Sequence, residues 1–299
     1  MNYQMIIGLQ LLYIAPSILL YIAEFFYILV CKDPEFSSAF YYIFLIRAPA
    51  DLIQVTVSLV AFRLPLADWR FVVDKPYIAK LGFVVSNFAC NIELFAQLIL
   101  SVNRLTAIWF PLRHNSWWTL RRTVISFLVC ALAASIPAVV KFCQEAGYVA
   151  VEGKVVPYLI HEEDQKVNSY VSSISYLFFC LSCFSLNIAA LLKHSQQRNI
   201  KWVDQQLVMA RRLQLNLLVY SSAFTVAIMS MTVCQCLLAL DVFPLKTDGH
   251  SVVILVLVMS ADCFALSNPW LLFALSSTFR SKFSRVGSGL PTVGSSYTV

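Results

Sequence analysis

Charged residues are scarce in this chain of 299 residues: Asp, Glu, Lys and Arg make up 13%, whereas 59% of the residues are hydrophobic. The mean hydropathy is +0.73. An ordinary soluble domain has about 25% charged and about 45 to 50% apolar residues. The net charge of +6 comes from basic residues in short clusters between apolar runs, and no aromatic-basic RNA motif occurs. These deficits argue against a soluble domain or a nucleic-acid partner and indicate a multi-span membrane protein.

The sequence also lacks the patterns that membrane enzymes use. There is no HExxH and no GxSxG, and we predict that the four histidines (His114, His161, His194 and His250) all lie in loops. The last apolar run has no lysine that could hold retinal as a Schiff base. We therefore expect no catalytic site, no metal and no cofactor.

Seven apolar runs are long enough to cross about 30 Å of hydrocarbon, for which about 20 helical residues suffice. They cover approximately residues 5–30, 38–62, 77–110, 122–143, 167–192, 213–240 and 251–275. Segments containing proline or glycine separate several of the runs. We predict an all-α bundle of seven transmembrane helices with a short juxtamembrane helix over residues 1–283, followed by a flexible cytoplasmic tail over residues 284–299.

The distribution of Lys and Arg predicts the orientation. With the N-terminus outside, thirteen basic residues fall on the cytoplasmic side and eight on the opposite side, Arg63 being taken as part of the first outer loop. Arg47 lies inside the second run. Because cytoplasmic loops carry an excess of Lys and Arg, this bias predicts an N-terminus outside and a C-terminus inside.

A polar pair interrupts the end of the third run, in the segment SVNRLTAIWFPLRHNSWW. Asn103 and Arg104 lie at its predicted cytoplasmic end, and Arg113 and two tryptophans follow within a few residues. Arg104 can extend to the membrane surface, which is a sufficient structural explanation for its position. Its surroundings form a short, positively charged loop with aromatic residues that can anchor at the membrane interface.

The seventh run contains a second motif, Asn268-Pro269. A proline removes one backbone hydrogen bond and kinks the helix, and the preceding asparagine can supply replacement polar contacts. The kink is either static or part of a conformational change.

Together, the two motifs are similar to those of seven-helix G-protein-coupled receptors, and the chain most resembles nematode serpentine chemoreceptors of the Srg superfamily, of the V or gamma type. The resemblance implies a G-protein-coupled chemosensory receptor in the cell membrane, the ciliary membrane of a sensory neuron being one candidate location. Its implied partners are a small-molecule or peptide ligand, a heterotrimeric G protein, membrane lipid and, as a candidate, a second receptor. A multi-span transporter or channel that uses the buried polar residues as a pathway is the alternative, although the sequence shows no inverted repeat.

Three departures from rhodopsin-like receptors accompany this resemblance. Asn103 replaces the usual acid beside the arginine, the outer cysteine pair is missing, and Phe273 replaces the usual tyrosine after the Asn-Pro motif.

Ionisable residues at membrane depth usually face the bundle interior and have partners. Arg47 can pair with Glu24 on the first span or with Asp51, four residues away on the same helix face. The resemblance further implies a polar switch network, with static interhelical hydrogen bonding as the alternative. Its candidate members are Asp51, Asn91, Glu93, Asn103, Arg104, Asn268 and Pro269.

A ligand cavity is expected in the outer half of the bundle, with Asp262, Asn87, Tyr176 and Gln235 as candidate binding residues. Asp262 can alternatively pair with a neighbouring span. On the inner side, opening of the bundle would expose a groove for a G-protein helix. The candidate contacts there are Arg104, Arg113, Arg211, Arg212, Leu207 and Val208. Basic loops of this kind also bind anionic lipid.

Overall fold

A computed structural model describes residues 3–30, 36, 38–67, 70–72, 74–151, 154–198, 205–243, 247–275 and 279–280. The described side chains are those of these residues other than 3, 70, 151, 154, 197–198, 205–221, 248 and 275. The predicted tail over residues 284–299 lies outside this part of the chain.

Seven helices in the described part are long and apolar enough to span a membrane, which confirms the predicted helical fold. We call them spans 1 to 7: Tyr3–Val30, Ala39–Leu66, Pro76–Trp109, Leu120–Cys143, Glu162–Arg198, Gln205–Ala239 and Asp248–Leu275. A short helix at Pro111–Trp117, the loop helix, connects spans 3 and 4.

Span 2 is longer than its apolar run predicts. Its α-helix (Ala39–Ser58) continues through a π-helical turn (Leu59–Arg63) and one further helical turn (Leu64–Leu66). The assignment of Arg63 to an outer loop was therefore wrong, because Arg63 is fully buried inside the bundle. A π-helical turn inside an α-helix is rare and is frequent at functional sites.

Three of the four histidines lie in helices, and His114 is part of the loop helix. His194 belongs to the last turns of span 5, and His250 to the first turn of span 7. The predicted loop positions of His194 and His250 were wrong because spans 5 and 7 extend beyond the apolar runs from which they were predicted. Among the residues that the structure describes, no three His, Cys, Asp or Glu side chains form a group that could hold a metal ion.

An antiparallel hairpin connects spans 4 and 5. Its strands, β1 (Ala146–Val151) and β2 (Lys154–Leu159), pair with Val151 opposite Lys154. Val156 of the hairpin packs with apolar residues of spans 1, 2 and 7, so the hairpin lies across one end of the bundle. The Tyr148 hydroxyl donates to the Ala61 carbonyl over 3.2 Å, and burial raises the pKa of Tyr148 to about 12.

The two ends of the bundle therefore differ. The hairpin end also holds the start of span 1, where the Gln4 amide donates to the Ala67 carbonyl. The opposite end, which carries the loop helix, is called the loop-helix end. Since the number of spans is odd, the start of span 1 and the end of span 7 lie at opposite ends of the bundle.

Apolar side chains separate into an inner and an outer set. The largest buried cluster joins spans 2 to 7 around Leu94, Phe224 and Phe264. Span 4 instead exposes many large apolar side chains, among them Leu128 and Leu132. Such an apolar exterior is expected for helices that face lipid tails.

Spans 2 and 3 pack closely against each other at Gly82. A Cβ atom placed there would lie 2.5 Å from the Cβ of Ala61, and an alanine has no flexible end that could move aside. Gly8 of span 1, by contrast, has nothing within 4 Å of such an atom.

We therefore expect Gly82→Ala to force spans 2 and 3 apart and to destabilise the protein by about 1–3 kcal/mol. Gly8→Ala is the matched control, and it should be neutral or stabilising because alanine favours a helix by roughly 0.5–1 kcal/mol over glycine. Thermal unfolding of the two purified variants distinguishes these outcomes. Equal melting temperatures would show that the contact at Gly82 is not tight.

Candidate functional site

A polar cluster in the bundle interior is organised around Asp51. One carboxylate oxygen accepts a hydrogen bond from Arg47 Nε over 2.9 Å, and the other accepts from Asn268 Nδ2 over 2.7 Å and from the Tyr21 hydroxyl. Asn268 Nδ2 also donates to the Tyr21 hydroxyl over 3.3 Å. All four residues are buried, and their contacts connect spans 1, 2 and 7.

Arg47 extends this polar cluster toward spans 6 and 7. It donates to the Phe264 carbonyl over 3.0 Å, and its guanidinium lies 5.0 Å from the Phe224 ring and 4.6 Å from the Phe264 ring. Aromatic faces attract a guanidinium strongly where water is excluded. Of the two partners that the sequence left open for Arg47, the structure selects Asp51.

Glu24 lies apart from this ion pair. Its side chain is fully buried, and neither carboxyl oxygen makes a hydrogen bond with a described residue. Tyr21 and Ile28, on the same face of span 1, belong to an apolar cluster that includes residues of spans 2 and 7.

The structure brings part of the predicted switch network together. Glu93 of span 3 is fully buried and lies within electrostatic reach of Asp51 and Arg47. Asn91, however, donates along its own helix to the Asn87 carbonyl over 2.8 Å and to the Asn87 side chain over 3.3 Å. Sequence reasoning missed Tyr21, because a tyrosine in an apolar run gives no sign of its tertiary partners.

A cavity of about 130 Å³ opens between spans 2 to 7 near the hairpin end. Asn87, Tyr176 and Gln235, three of the four predicted ligand-binding residues, line it. The Tyr176 hydroxyl lies 3.0 Å from the Cys90 sulfur, which joins spans 5 and 3 at the cavity wall. The apolar part of the lining includes Phe62, Phe83, Met231 and Leu257.

Asp262, the fourth predicted ligand-binding residue, is not part of this lining. Its carboxylate forms an ion pair with Arg63, which also donates to the Val258 carbonyl over 3.5 Å. This buried pair connects the π-helical turn of span 2 to span 7. Of the two roles considered for Asp262, the structure contains the pairing with a neighbouring span.

Arg104 lies near the loop-helix end of span 3 and is 4% exposed. It lies within electrostatic reach of Cys183 on span 5. One turn further along span 3, Ile108 packs against Ala190, which also belongs to span 5. Asn103 is also buried, and its carbonyl accepts a hydrogen bond from the Thr106 hydroxyl over 2.8 Å. The arginine is therefore covered by span 5 in this arrangement.

The loop helix is attached to the end of span 3 through Thr106. Trp118 Nε1 donates to the Thr106 hydroxyl over 2.8 Å, and His114 Nδ1 lies 3.3 Å from the same oxygen. Partial burial lowers the pKa of His114, which favours its neutral form. Arg113 is exposed on this helix.

The remaining predicted G-protein contacts belong to span 6. Its helix includes residues 207, 208, 211 and 212, but the side chains of Leu207, Val208, Arg211 and Arg212 lie outside the described part. Of the predicted juxtamembrane helix, the structure describes Phe279 and Arg280. Arg280 donates to the carbonyls of Phe273 and Ala274 at the end of span 7, a typical way to satisfy the last carbonyl groups of a helix.

Comparison with known proteins agrees with this architecture. The sequence model of the family described as "Serpentine type 7TM GPCR chemoreceptor Srv" matches residues 10–287. A 126-residue segment is 23% identical to "Serpentine receptor class gamma-8" of Caenorhabditis elegans and covers 40% of this chain. The same segment covers 39% of that receptor.

Proposed function

The chain belongs to the serpentine type 7TM GPCR chemoreceptor Srv family, and from this membership we propose that it binds an extracellular chemical ligand at the hairpin end and activates a heterotrimeric G protein at the loop-helix end. The observation that carries this assignment is a cavity at one end of the bundle together with a buried arginine near the other. A polar cluster lies in the bundle interior and contacts both span 2 and the Asn-Pro segment of span 7.

The cavity has the properties of a small-molecule site. It combines aromatic and aliphatic side chains with amides and hydroxyls, and in such concave sites polar groups orient a ligand that apolar walls enclose. All six lining spans also contribute to the largest buried cluster, so a ligand there contacts the packing between helices directly.

The excess of Lys and Arg at the loop-helix end supports an orientation with that end in the cytoplasm and the cavity on the extracellular side. Tags at the two termini of a functional chain should then be accessible from opposite sides of the membrane, the N-terminal one from outside. Accessibility of the N-terminal tag from the cytoplasm alone would contradict this orientation.

Activation is a shift between two arrangements of the spans. In the arrangement described above, span 5 covers Arg104, so a G protein reaches this side chain only after spans 5 and 6 have moved away from span 3. A ligand drives that movement only if it binds the open arrangement more tightly than the closed one. The Asp51 cluster is the proposed switch because its hydrogen bonds connect spans 1, 2 and 7 and lie next to span 6.

Cells that express the chain should respond to some members of a chemical panel with a calcium or cAMP signal that requires a heterotrimeric G protein. Ion current or substrate flux without such a requirement would instead indicate the transporter or channel class.

Filling the cavity should weaken this response. Gln235 lines the cavity, whereas Val233, two residues earlier on span 6, is 56% exposed on the outer surface. We expect Gln235→Trp to raise the ligand concentration that gives a half-maximal response at least roughly tenfold. Excluding a ligand from a well-fitted site costs more than about 1.4 kcal/mol of binding free energy. Val233→Trp should leave the dose–response curve unchanged at equal surface expression. Equal responses of the two variants would show that the ligand binds elsewhere.

A further inference from the structure

The polar lining of the cavity points to a particular ligand charge. We propose that the cavity binds a small organic anion, a carboxylate of about the size of benzoate; this proposal rests on the proposed ligand site. Lys141 supplies the counter-charge, and Gln54 and Ser58 supply hydrogen-bonding groups.

Among the described residues that line the cavity, Lys141 is the charged one, and none is Asp or Glu. The carboxylates of Asp51 and Asp262 are already paired with Arg47 and Arg63. Lys141 itself forms no ion pair with a described residue. A partly buried ammonium group without a counter-ion is unfavourable, and a bound anion would compensate for it.

The position of Lys141 argues against a purely structural role. A lysine in the last turn of a helix favours the helix dipole and commonly extends along the helix exterior to the membrane surface. Its neighbours Val140 and Phe142 are 52% and 58% exposed on the outside of the bundle. Lys141 instead lies on the cavity wall.

Span 2 supplies two further polar side chains to the cavity lining. Gln54 and Ser58 are one turn apart on span 2, line the cavity and are 5% and 1% exposed. Neither Gln54 Oε1 nor Ser58 Oγ makes a hydrogen bond with a described residue. The Ser58 hydroxyl can donate to a carboxylate, whereas the Gln54 amide can bond to it only through its N–H groups. Leaving a buried hydroxyl without a partner costs about 1–3 kcal/mol, so an anion that accepts from Ser58 gains affinity.

The volume limits the size of this anion. An apolar protein cavity of about 150 Å³ holds one benzene molecule. The cavity here has about 130 Å³, and aromatic side chains at Phe62 and Phe83 form part of its wall. A short alkyl chain that carries one carboxylate fits this combination of size and polarity, and benzoate is the upper limit of size.

Direct binding to the purified full-length chain tests the proposal. The probes are benzoate and hexanoate, each compared with the amide and the amine of the same skeleton. We expect the carboxylates to bind and the amines not to bind, and we expect Lys141→Gln to weaken carboxylate binding about 10- to 100-fold because a hydrogen bond to a charged group is lost. Lys141→Arg, which keeps the charge, verifies that the site still folds and should retain the preference for anions.

Lys80→Gln is the matched control. Lys80 lies at the same end of the bundle with its ammonium group 5.0 Å from the Phe142 ring, and it does not line the cavity. Its replacement should leave carboxylate affinity unchanged. The proposal is overturned if neither carboxylate binds at millimolar concentration, if amides or amines bind as well as the acids, or if Lys141→Gln and Lys80→Gln have equal effects.

Failure of this inference is distinguishable from failure of the proposed function. Nucleotide exchange on an added heterotrimeric G protein, driven by a neutral or cationic compound that Gln235→Trp blocks, would retain the receptor function and reject the anion. Carboxylate binding that depends on Lys141 without any nucleotide exchange would retain the anion site and reject the G-protein coupling.

Discussion

Replacing Asp51 by alanine should destabilise the protein by about 3–5 kcal/mol, because it removes the carboxylate that pairs with a buried arginine. Arg47 is 2% exposed and lies 2.9 Å from Asp51 through its Nε atom. Asn268 and Tyr21 lose their shared acceptor in the same variant. The expected result is a marked loss of surface expression and a lower melting temperature of the purified protein.

A double variant separates the ion pair from the loss of packing. Arg47→Met together with Asp51→Leu removes both charges and keeps apolar volume at both positions. Replacing a buried ion pair with well-packed apolar residues is often neutral or stabilising, so the double variant should recover most of the stability that Asp51→Ala loses. A double variant as unstable as Asp51→Ala would show that the charge pair is not the cause.

The switching role requires a subtler substitution. Asp51→Asn keeps the shape of the side chain but neutralises it. If Asp51 takes part in the change between two arrangements, this variant should reach the surface and still alter basal or agonist-evoked nucleotide exchange. Wild-type nucleotide exchange at wild-type surface expression would show that the polar cluster only makes static hydrogen bonds. Such bonds are each worth on the order of 0.6 kcal/mol in a membrane protein.

The sequence predicts the helical architecture well because the bilayer sets a minimum length for every apolar run. The helix ends are less predictable. Span 5 begins at Glu162, five residues before its apolar run, with Glu162, Glu163 and Asp164 in its first turn, where acidic residues favour the helix dipole. A hydropathy pattern cannot show such polar extensions, because they lie outside the hydrocarbon.

The hairpin had a readable signal. Valine-rich segments flank the pair Glu152-Gly153, a pattern typical of a hairpin with a two-residue connection. The hydropathy pattern shows this segment only as a connection between spans 4 and 5. It therefore does not predict the packing of the hairpin across spans 1, 2 and 7.

The polar contacts separate into local and tertiary ones. The pairing of Arg47 with Asp51 was one of two readable options, because residues four apart share a helix face. The ion pair of Arg63 with Asp262 could not be predicted from the sequence, because Pro65 indicates that span 2 ends before this region. The structure accommodates Pro65 in the first turn of the segment Leu64–Leu66, directly after the π-helical turn. The inward direction of Lys141 likewise depends on the rotation of span 4, which no pattern along the chain specifies.

Replacing Arg104 by alanine should abolish G-protein activation while ligand binding at the hairpin end remains intact. Arg104 is far from the cavity along span 3: Asn87 and Cys90 line the cavity, and Arg104 follows them by about four turns of helix. The substitution therefore leaves the ligand site unchanged and removes a guanidinium that the proposed mechanism exposes to the G protein. Nucleotide exchange should fall to the level of cells without the receptor, at unchanged surface expression.

Two further variants decide whether the guanidinium itself is responsible. Arg104→Lys keeps the positive charge but loses the planar group that forms paired hydrogen bonds, so it should recover only part of the activity. Arg122→Ala removes another arginine from the same end of the bundle, one whose guanidinium donates to the Ser116 carbonyl over 2.8 Å, and should leave activation near the wild-type level. Full activation by Arg104→Ala would mean that the buried arginine only fills the space between spans 3 and 5, and that coupling depends on other residues of the loop-helix end.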